Sequence, residues 1–267
     1  MQSTRTTSRE PSNQWRTLGG LRVREVYYAP HRHQPRHRHS ESSLSLVLAG
    51  QLEETSAHAR YRAVAGSLVM KPAGHWHADT YGPRGARVVQ ILPARQFAPM
   101  DGGHDYRWLE APRLARRVIG LLYDSTSTAE STELAMWEAF DRLTATVESE
   151  RPAARPGWWD DAVDLLDECV ERSVSVADVA ARLGVHPVHL ARVCRRQFGC
   201  TSREYMRGRR VLAAWRAWQR GEEPLAAIAV RVGFADQAHM TRCFAKELGV
   251  SPGRLRRLTA LPERHDR

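Results

Sequence analysis

The 267-residue chain has few cysteines, almost no lysine and no long apolar run. Its four cysteines form no Cys-x-x-Cys pair, which predicts reduced thiols rather than disulfides or a zinc knot. No stretch approaches the roughly 18 apolar residues that a membrane-spanning helix needs. The first 15 residues contain no apolar segment of the kind found in signal peptides. These absences predict a cytoplasmic protein with no membrane partner.

The positive charge comes almost entirely from arginine. Lys71 and Lys246 are the only lysines among 40 basic residues, and the formal net charge is +10. A basic balance of this size indicates an anionic partner, either nucleic acid or a membrane surface. Arginine suits phosphate contact, although a GC-rich genome explains the same bias equally well. The net charge is roughly +3 over the first 150 residues and roughly +7 over the rest, which places the anionic partner at the C-terminal end.

The hydrophobic period changes along the chain. From Leu18 to about Phe97, short alternating or apolar runs are separated by Gly and Pro, which is typical of antiparallel strands that close a sandwich or barrel. From about Pro112 onward, apolar residues recur three and four apart, which predicts amphipathic helices. The sequence therefore predicts an α+β protein, an antiparallel β-barrel with flanking helices followed by an all-α domain. The expected segments are a disordered tail (1–15), the barrel (16–98), a helical segment (99–149), a linker (150–157) and the all-α domain (158–262).

The all-α part contains an internal repeat. Val176–Gly199 and Leu225–Gly249 each read as a short helix, a glycine turn and a second helix, so Gly184 matches Gly233. This arrangement is a helix-turn-helix unit. A plain antiparallel helix pair in a core is the alternative for one copy, but two copies in register with cationic free faces favour DNA binding.

The free face of each second helix carries side chains that can read bases. Arginine can bond guanine O6 and N7, and glutamine can bond adenine N6 and N7, in the major groove. The connector between the units predicts about 20 residues of helix, or roughly 30 Å, close to the roughly 34 Å between successive major grooves. The candidate readers are His189, Arg192, Arg195 and Arg196 in the first copy and Gln237, His239, Thr241, Arg242 and Lys246 in the second.

The segment "IAVRVGFADQAHMTRCFAKELGVSPGRLR" closely resembles the signature of the AraC/XylS family of transcription regulators, and the resemblance spans roughly Trp158 to Leu258. It implies a seven-helix domain with two helix-turn-helix units, operator binding on double-stranded DNA, a barrel that senses a small-molecule effector, contact with RNA polymerase, and a homodimer formed by paired helices. Ala238 and His239 stand where the family often has serine and an aromatic residue. The base readers implied by position are Val188, Ala191, Arg192, Gln237, Ala238, Thr241 and Arg242.

Histidines cluster in the predicted barrel and resemble the two cupin motifs. His37 and His39 lie two apart, so on a strand they share one face and can bind one metal ion. "GSLVMKPAGHWH" matches the second motif in full spacing and ends on His77. Ser43 stands where the first motif has its glutamate, and Glu41 lies two residues early. The three histidines therefore predict a weakened iron or zinc site.

Alternatives for the barrel remain open at this point. His37, His39, Ser43 and His77 can line an effector pocket that holds no metal, as the family resemblance suggests. The second alternative is a transition-metal or redox sensor. The third is a metal-dependent cupin enzyme fused to a DNA-binding domain. The predicted function is a non-enzymatic transcription regulator. Apolar seams between Pro112 and Glu150 either cover the barrel or form the dimer interface.

Overall fold

The computed structural model describes residues 13–57, 59–93, 109–110, 112–123, 127–148, 156–171, 175–198 and 200–261. Most of the predicted tail and of the predicted linker lie outside these ranges. The chain forms two compact units. The first contains residues up to Val147 together with those from Leu248 onward, and the second runs from Glu148 to Glu247.

The first unit is built on one antiparallel sheet, as the period-two pattern predicts. The strands are β1 (Arg16–Leu18), β2 (Leu21–Tyr28), β3 (His33–His37), β4 (Ser43–Thr55), β5 (Arg60–Val64), β6 (Ser67–Lys71), β7 (His77–Leu92) and β8 (Leu109–Glu110). Their order in the sheet is β1-β2-β7-β4-β6-β8, with β3 paired to β7 and β5 paired to β4. The two longest strands, β4 and β7, pair along most of their length through two irregularities in register.

The described residues contain nine helices, of which the last seven match the seven-helix expectation. They are α1 (Pro112–Tyr123), α2 (Ala129–Glu148), α3 (Trp159–Glu171), α4 (Val176–Arg182), α5 (Pro187–Phe198), α6 (Ser202–Arg220), α7 (Leu225–Arg231), α8 (Gln237–Leu248) and α9 (Pro252–Thr259). Within the described ranges, none of these helices is both long and apolar enough to cross a membrane.

Side chains from the inner faces of the strands form the barrel core. Val47, Val69 and Val88 are buried, and the rings of Tyr28 and Tyr81 stack with centroids 4.3 Å apart. Gly50 has a φ of 75°, and a Cβ there would lie 2.1 Å from the Gly85 carbonyl oxygen. Only glycine fits this position, because the chain passes too close to β7 for any side chain.

A buried polar network closes one part of the first unit. Arg87 on β7 forms an ion pair with Glu25 on β2, and Tyr123 donates its hydroxyl to the same carboxylate at 2.7 Å. Arg87 also donates to the Ala260 carbonyl at 2.9 Å, and Arg254 donates to the Tyr123 carbonyl at 3.1 Å. These bonds connect the sheet, α1 and α9.

The second unit has its own apolar core. Trp159 and Leu166 of α3 pack with Val179 of α4 and Leu190 of α5. Helix α6 runs through this unit and buries Trp215. The first helix of each predicted repeat buries its apolar face as expected, with Ala180 and Ala229 both inaccessible to solvent.

Candidate nucleic-acid interface and barrel site

The two repeats adopt the same turn. Gly184 and Gly233 have left-handed φ values of 65° and 83°. In the first repeat, Val185 N donates to the Ala180 carbonyl at 3.0 Å, and in the second, Phe234 N donates to the Ala229 carbonyl at 2.9 Å. Each glycine N also donates to the carbonyl three residues earlier. This pair of bonds is the Schellman motif, so the predicted helix-turn-helix turns are present in both copies.

Helix α5 separates a buried stripe from an exposed face. It begins at Pro187, as predicted, and buries Leu190, Val193 and Cys194. Burial raises the pKa of the Cys194 thiol to about 12, which keeps it neutral in the core. Val188 is 59% exposed. Ala191 is half-buried, and the other predicted readers of this helix, His189, Arg192, Arg195 and Arg196, are exposed.

Helix α8 repeats this division. Met240, Phe244 and Leu248 are buried. The first turn is fixed by Asp236, whose carboxylate accepts the His239 amide N–H at 2.6 Å. Thr241 is half-buried, and Gln237, Ala238, His239, Arg242 and Lys246 are exposed. The predicted readers therefore lie on the free surface of each second helix.

The barrel brings the three predicted histidines together. The pairing of β3 with β7 places His37 opposite His77. The His37 and His77 ring centroids are 4.4 Å apart, and His39 lies 5.1 Å from His37 and 5.2 Å from His77. One ligand atom from each of the three lies within 4.8 Å of the others. This separation suits shared coordination of one metal ion.

The backbone orients two of the three rings. His37 Nδ1 lies 2.9 Å from the Pro35 carbonyl, and His77 Nδ1 lies 3.2 Å from the His75 carbonyl. Donation from Nδ1–H to these carbonyls leaves the lone pair on Nε2, the arrangement typical of metal-binding histidines. His77 is 1% exposed, and its Nε2 has no hydrogen-bond partner within the part of the chain that the structure describes.

Burial keeps the imidazoles of His77 and His39 neutral. It lowers the pKa of His77 to about 2 and that of His39 to about 4, and the nearby Lys71 charge acts in the same direction. A neutral imidazole retains the lone pair that a metal ion or a donor group of a ligand needs. His77 and His39 therefore offer neutral ring nitrogens as ligands or hydrogen-bond acceptors.

Asp79 is the residue that sequence reasoning missed. Its Oδ2 lies 3.8 Å from His77 Nε2, too long for a hydrogen bond, and its buried Oδ1 has no partner among the described residues. Burial raises the pKa of this carboxyl group. Glu54 also lies near His77, but it forms a buried ion pair with Lys71. The available signal was spacing, because Asp79 lies two residues after His77 on one strand and so shares its face.

The positions around the first motif differ in their surroundings. Ser43 is buried on β4, where it pairs in register with Lys71 on β6. Glu41 forms an exposed ion pair with Arg22 at 3.1 Å. Glu41 therefore does not replace the glutamate that the motif has at the position of Ser43, because its carboxylate pairs with Arg22.

The sheet and the doubled helical turns define a ligand-binding barrel joined to a helix-turn-helix domain. The family model described as AraC-like ligand binding domain matches residues 18–143, and the one described as helix-turn-helix domain matches residues 179–258. The chain belongs to the AraC family of DNA-binding transcription regulators. The sequence-based predictions of family, fold class and function are thereby confirmed.

Individual relatives cover different parts of the chain. It is 31% identical over 107 residues to the probable transcription factor PqrA of Proteus vulgaris, covering 39% of this chain and 88% of PqrA. It is 28% identical over 94 residues to the multiple antibiotic resistance protein MarA of Escherichia coli, covering 35% of this chain and 74% of MarA. A structure of ToxT from Vibrio cholerae is 12% identical with a TM-score of 0.39, covering 90% of this chain and 99% of ToxT.

Proposed function

We propose that this regulator reads its operator with α5 and α8 in two adjacent major grooves of double-stranded DNA. The observation that carries the proposal is the repetition of one turn geometry at Gly184 and Gly233, with an exposed polar helix after each. Helix α6 joins the two helix-turn-helix repeats with 19 residues, about 28 Å of helix at 1.5 Å per residue. The proposed readers are Val188, His189, Ala191, Arg192, Arg195, Arg196, Gln237, Ala238, His239, Thr241, Arg242 and Lys246.

Selection of binding sites from random duplex DNA by the full-length chain tests this proposal. We expect a two-part motif whose halves are centred about 10 base pairs apart, one turn of B-DNA. Gln237→Ala should alter the preference in one half only, and Arg192→Ala in the other. A single uninterrupted motif that both substitutions change at the same base pair would contradict two separate readers.

The barrel is proposed to bind a small-molecule effector near His37, His39, Ser43 and His77. Effector occupancy shifts a conformational equilibrium of the regulator by binding one state more tightly than the other. We also propose contact with RNA polymerase and a cytoplasmic location, because the proposed target is promoter DNA. We also propose a homodimer, as the family resemblance implies, through the apolar seam of α2 on which Leu134 is 62% exposed.

A second candidate for the sensor is a divalent transition-metal ion, such as zinc or ferrous iron. The observation that favours it is the buried pair His77 Nε2 and Asp79 Oδ2, which face each other 3.8 Å apart without a hydrogen bond. Metal–ligand bonds of about 2.0–2.2 Å allow one ion to satisfy both atoms. His37 and His39 supply the other nitrogen ligands, since one ligand atom of each lies within 4.8 Å of one on His77. Asp79 groups with His77 and Glu54, so its carboxylate is the proposed partner of His77. No catalytic step is proposed, since the family consists of regulators.

Metal titration against a competing chelator distinguishes the two sensor hypotheses. We expect the full chain to bind one zinc or cobalt(II) ion, and His77→Ala to weaken binding by at least about 10–100-fold. His33→Ala is the matched control, because His33 is exposed on the same strand as His37 and contacts Thr80. Equal metal affinity of the His77→Ala and His33→Ala variants would show that His77 does not bind the metal. The metal-free effector pocket would then remain as the sensor.

A further inference from the structure

The second unit contains a cavity of about 580 Å³ beside the predicted reading helix α8. Residues of α4, α6 and α8 line it, including Ser175 just before α4 and Cys243 on α8. Burial raises the pKa of the Cys243 thiol, so this sulfur contributes no negative charge. The cavity is open to solvent, because Ser175 and His239 in its lining are exposed.

Three arginines of α6 give the cavity its charge. Arg203, Arg207 and Arg210 are spaced four and three residues apart, which places them on one side of the helix. Arg207 forms an ion pair with Glu247 at 2.6 Å. Arg203 and Arg210 have no carboxylate partner among the described residues. No acidic residue lines the cavity within that part of the chain, so two positive charges lack an internal counter-charge.

Arg210 is placed by the turn of the second repeat. Its buried Nε has no hydrogen-bond partner in the described structure. A Cβ on Gly233 would lie 3.0 Å from the guanidinium carbon of Arg210, so glycine leaves room for this side chain beside the turn. A buried guanidinium donor without an acceptor costs free energy unless an anion binds it.

We propose that this arginine cavity, defined by Arg203, Arg207 and Arg210, binds the DNA phosphate backbone between the two major grooves read by α5 and α8. The inference rests on the proposed function and adds α6 to the DNA-contacting surface. His239 supports DNA as the source of the phosphate, since it lies in the first turn of α8 and also lines the cavity. A phosphodiester passing from one reading helix toward the other therefore meets the arginines in a position to donate.

Salt dependence of DNA binding measures such contacts directly. Each neutralised phosphate contributes about 0.9 to the slope of log K against log salt concentration. We expect the full-length Arg203→Gln/Arg210→Gln variant to reduce this slope by about 2. Its affinity for selected and for random duplex should fall by the same factor, with the selected motif unchanged, because phosphate contacts carry no base preference.

Two further variants separate phosphate contact from loss of folding and from general charge. Arg203→Lys/Arg210→Lys keeps both charges and should retain most of the slope, while thermal unfolding checks that the Gln variant is folded. Arg60→Gln/Arg62→Gln removes two exposed charges from β5 in the barrel and should leave the slope unchanged.

The outcomes are distinct. A folded Gln variant with the wild-type slope overturns the inference, as does a change in the selected motif. A third outcome is that the wild-type chain binds inorganic phosphate, the Gln variant does not, and both have the same salt slope for DNA. This outcome overturns the inference and indicates a site for a small anion. Failure of the wild-type chain to select any sequence overturns the proposed function instead.

Discussion

At the scale of single residues, two glycines with the same backbone conformation have different surroundings. Gly184 has no heavy atom within 4 Å of an added Cβ, whereas Gly233 has the Arg210 guanidinium at 3.0 Å. Both positions require a left-handed φ, which costs an alanine about 1–2 kcal/mol. An alanine at Gly184 therefore incurs only the cost of the left-handed backbone conformation, whereas an alanine at Gly233 incurs that cost and the cost of the contact with Arg210.

Gly233→Ala should destabilise the protein more than Gly184→Ala. We expect about 1–2 kcal/mol from Gly184→Ala, and a larger loss from Gly233→Ala because Arg210 must also move. Urea unfolding of the two full-length variants measures the difference. Equal losses would mean that Arg210 relocates freely. If the Arg210 guanidinium causes the larger loss, the two glycine substitutions should cost the same stability in an Arg210→Ala background.

Arg242 is expected to read one base pair. Its side chain is exposed on α8, so Arg242→Ala should cost about 1–3 kcal/mol of affinity for the selected site and relax preference at one position. Fluorescence anisotropy with single-base variants of the site provides the measurement. Arg231→Ala is a suitable control, since Arg231 lies on α7 and forms an ion pair with Glu223 at 3.1 Å. Undiminished affinity of the Arg242→Ala variant for the selected site would argue against base contact.

At the scale of elements, side-chain caps explain where α4, α6 and α9 begin. Thr201 and Glu204 form a reciprocal capping box at the start of α6, with hydrogen bonds of 3.2 Å and 2.9 Å. Ser175 and Asp178 do the same for α4, where the backbone N–H of Ser175 lowers the pKa of the Asp178 carboxyl group. Ser251 caps α9 with Pro252 in its first turn, as predicted from the sequence.

Thr201→Ala should destabilise the second unit by about 1 kcal/mol, because the Glu204 amide N–H loses its acceptor. Thr201→Ser keeps the oxygen and should retain most of the stability. Thermal unfolding followed by circular dichroism compares them. A Thr201→Ala variant with wild-type stability would show that packing of α6 alone fixes its start.

The sequence predicted much of this architecture, for physical reasons. Glycine turns, proline at a first helical position and apolar spacing are local signals, and they located α4, α5, α7 and α8. The pairing of β3 with β7 is not local, yet motif spacing still identified His37, His39 and His77. Asp79 escaped notice, because its significance depends on what lies across the barrel. The arginines of α6 escaped for the same reason, since helical spacing does not indicate which neighbouring helix faces them.

At the scale of the whole molecule, Glu25 and Arg87 form a buried ion pair that links β2 and β7. Both side chains are almost inaccessible, and Tyr123 donates to the same carboxylate. Burial raises the pKa of the Tyr123 hydroxyl well above its usual range, so it remains a donor. Removing one member of such a pair leaves an uncompensated charge in the interior.

Glu25→Gln should therefore destabilise the first unit by about 3–5 kcal/mol. The double variant Glu25→Leu/Arg87→Met should recover part of this loss, because it removes both charges and fills similar volume. Urea unfolding of the full-length chain gives both values. A single variant as stable as wild type would show that water reaches the Arg87 guanidinium.

The repeats differ in one respect that bears on how the regulator behaves on warming. Helix α4 begins with a full capping box, but α7 begins after Pro224, which offers no side-chain cap, so packing of Ile228 and Ala229 must hold its first turn. We expect α7 to fray before α4 as temperature rises, which hydrogen exchange would detect as faster exchange of the α7 amides. Under the proposed two-groove reading, a partly warmed regulator would lose the half of the operator contacted by α8 before the half contacted by α5.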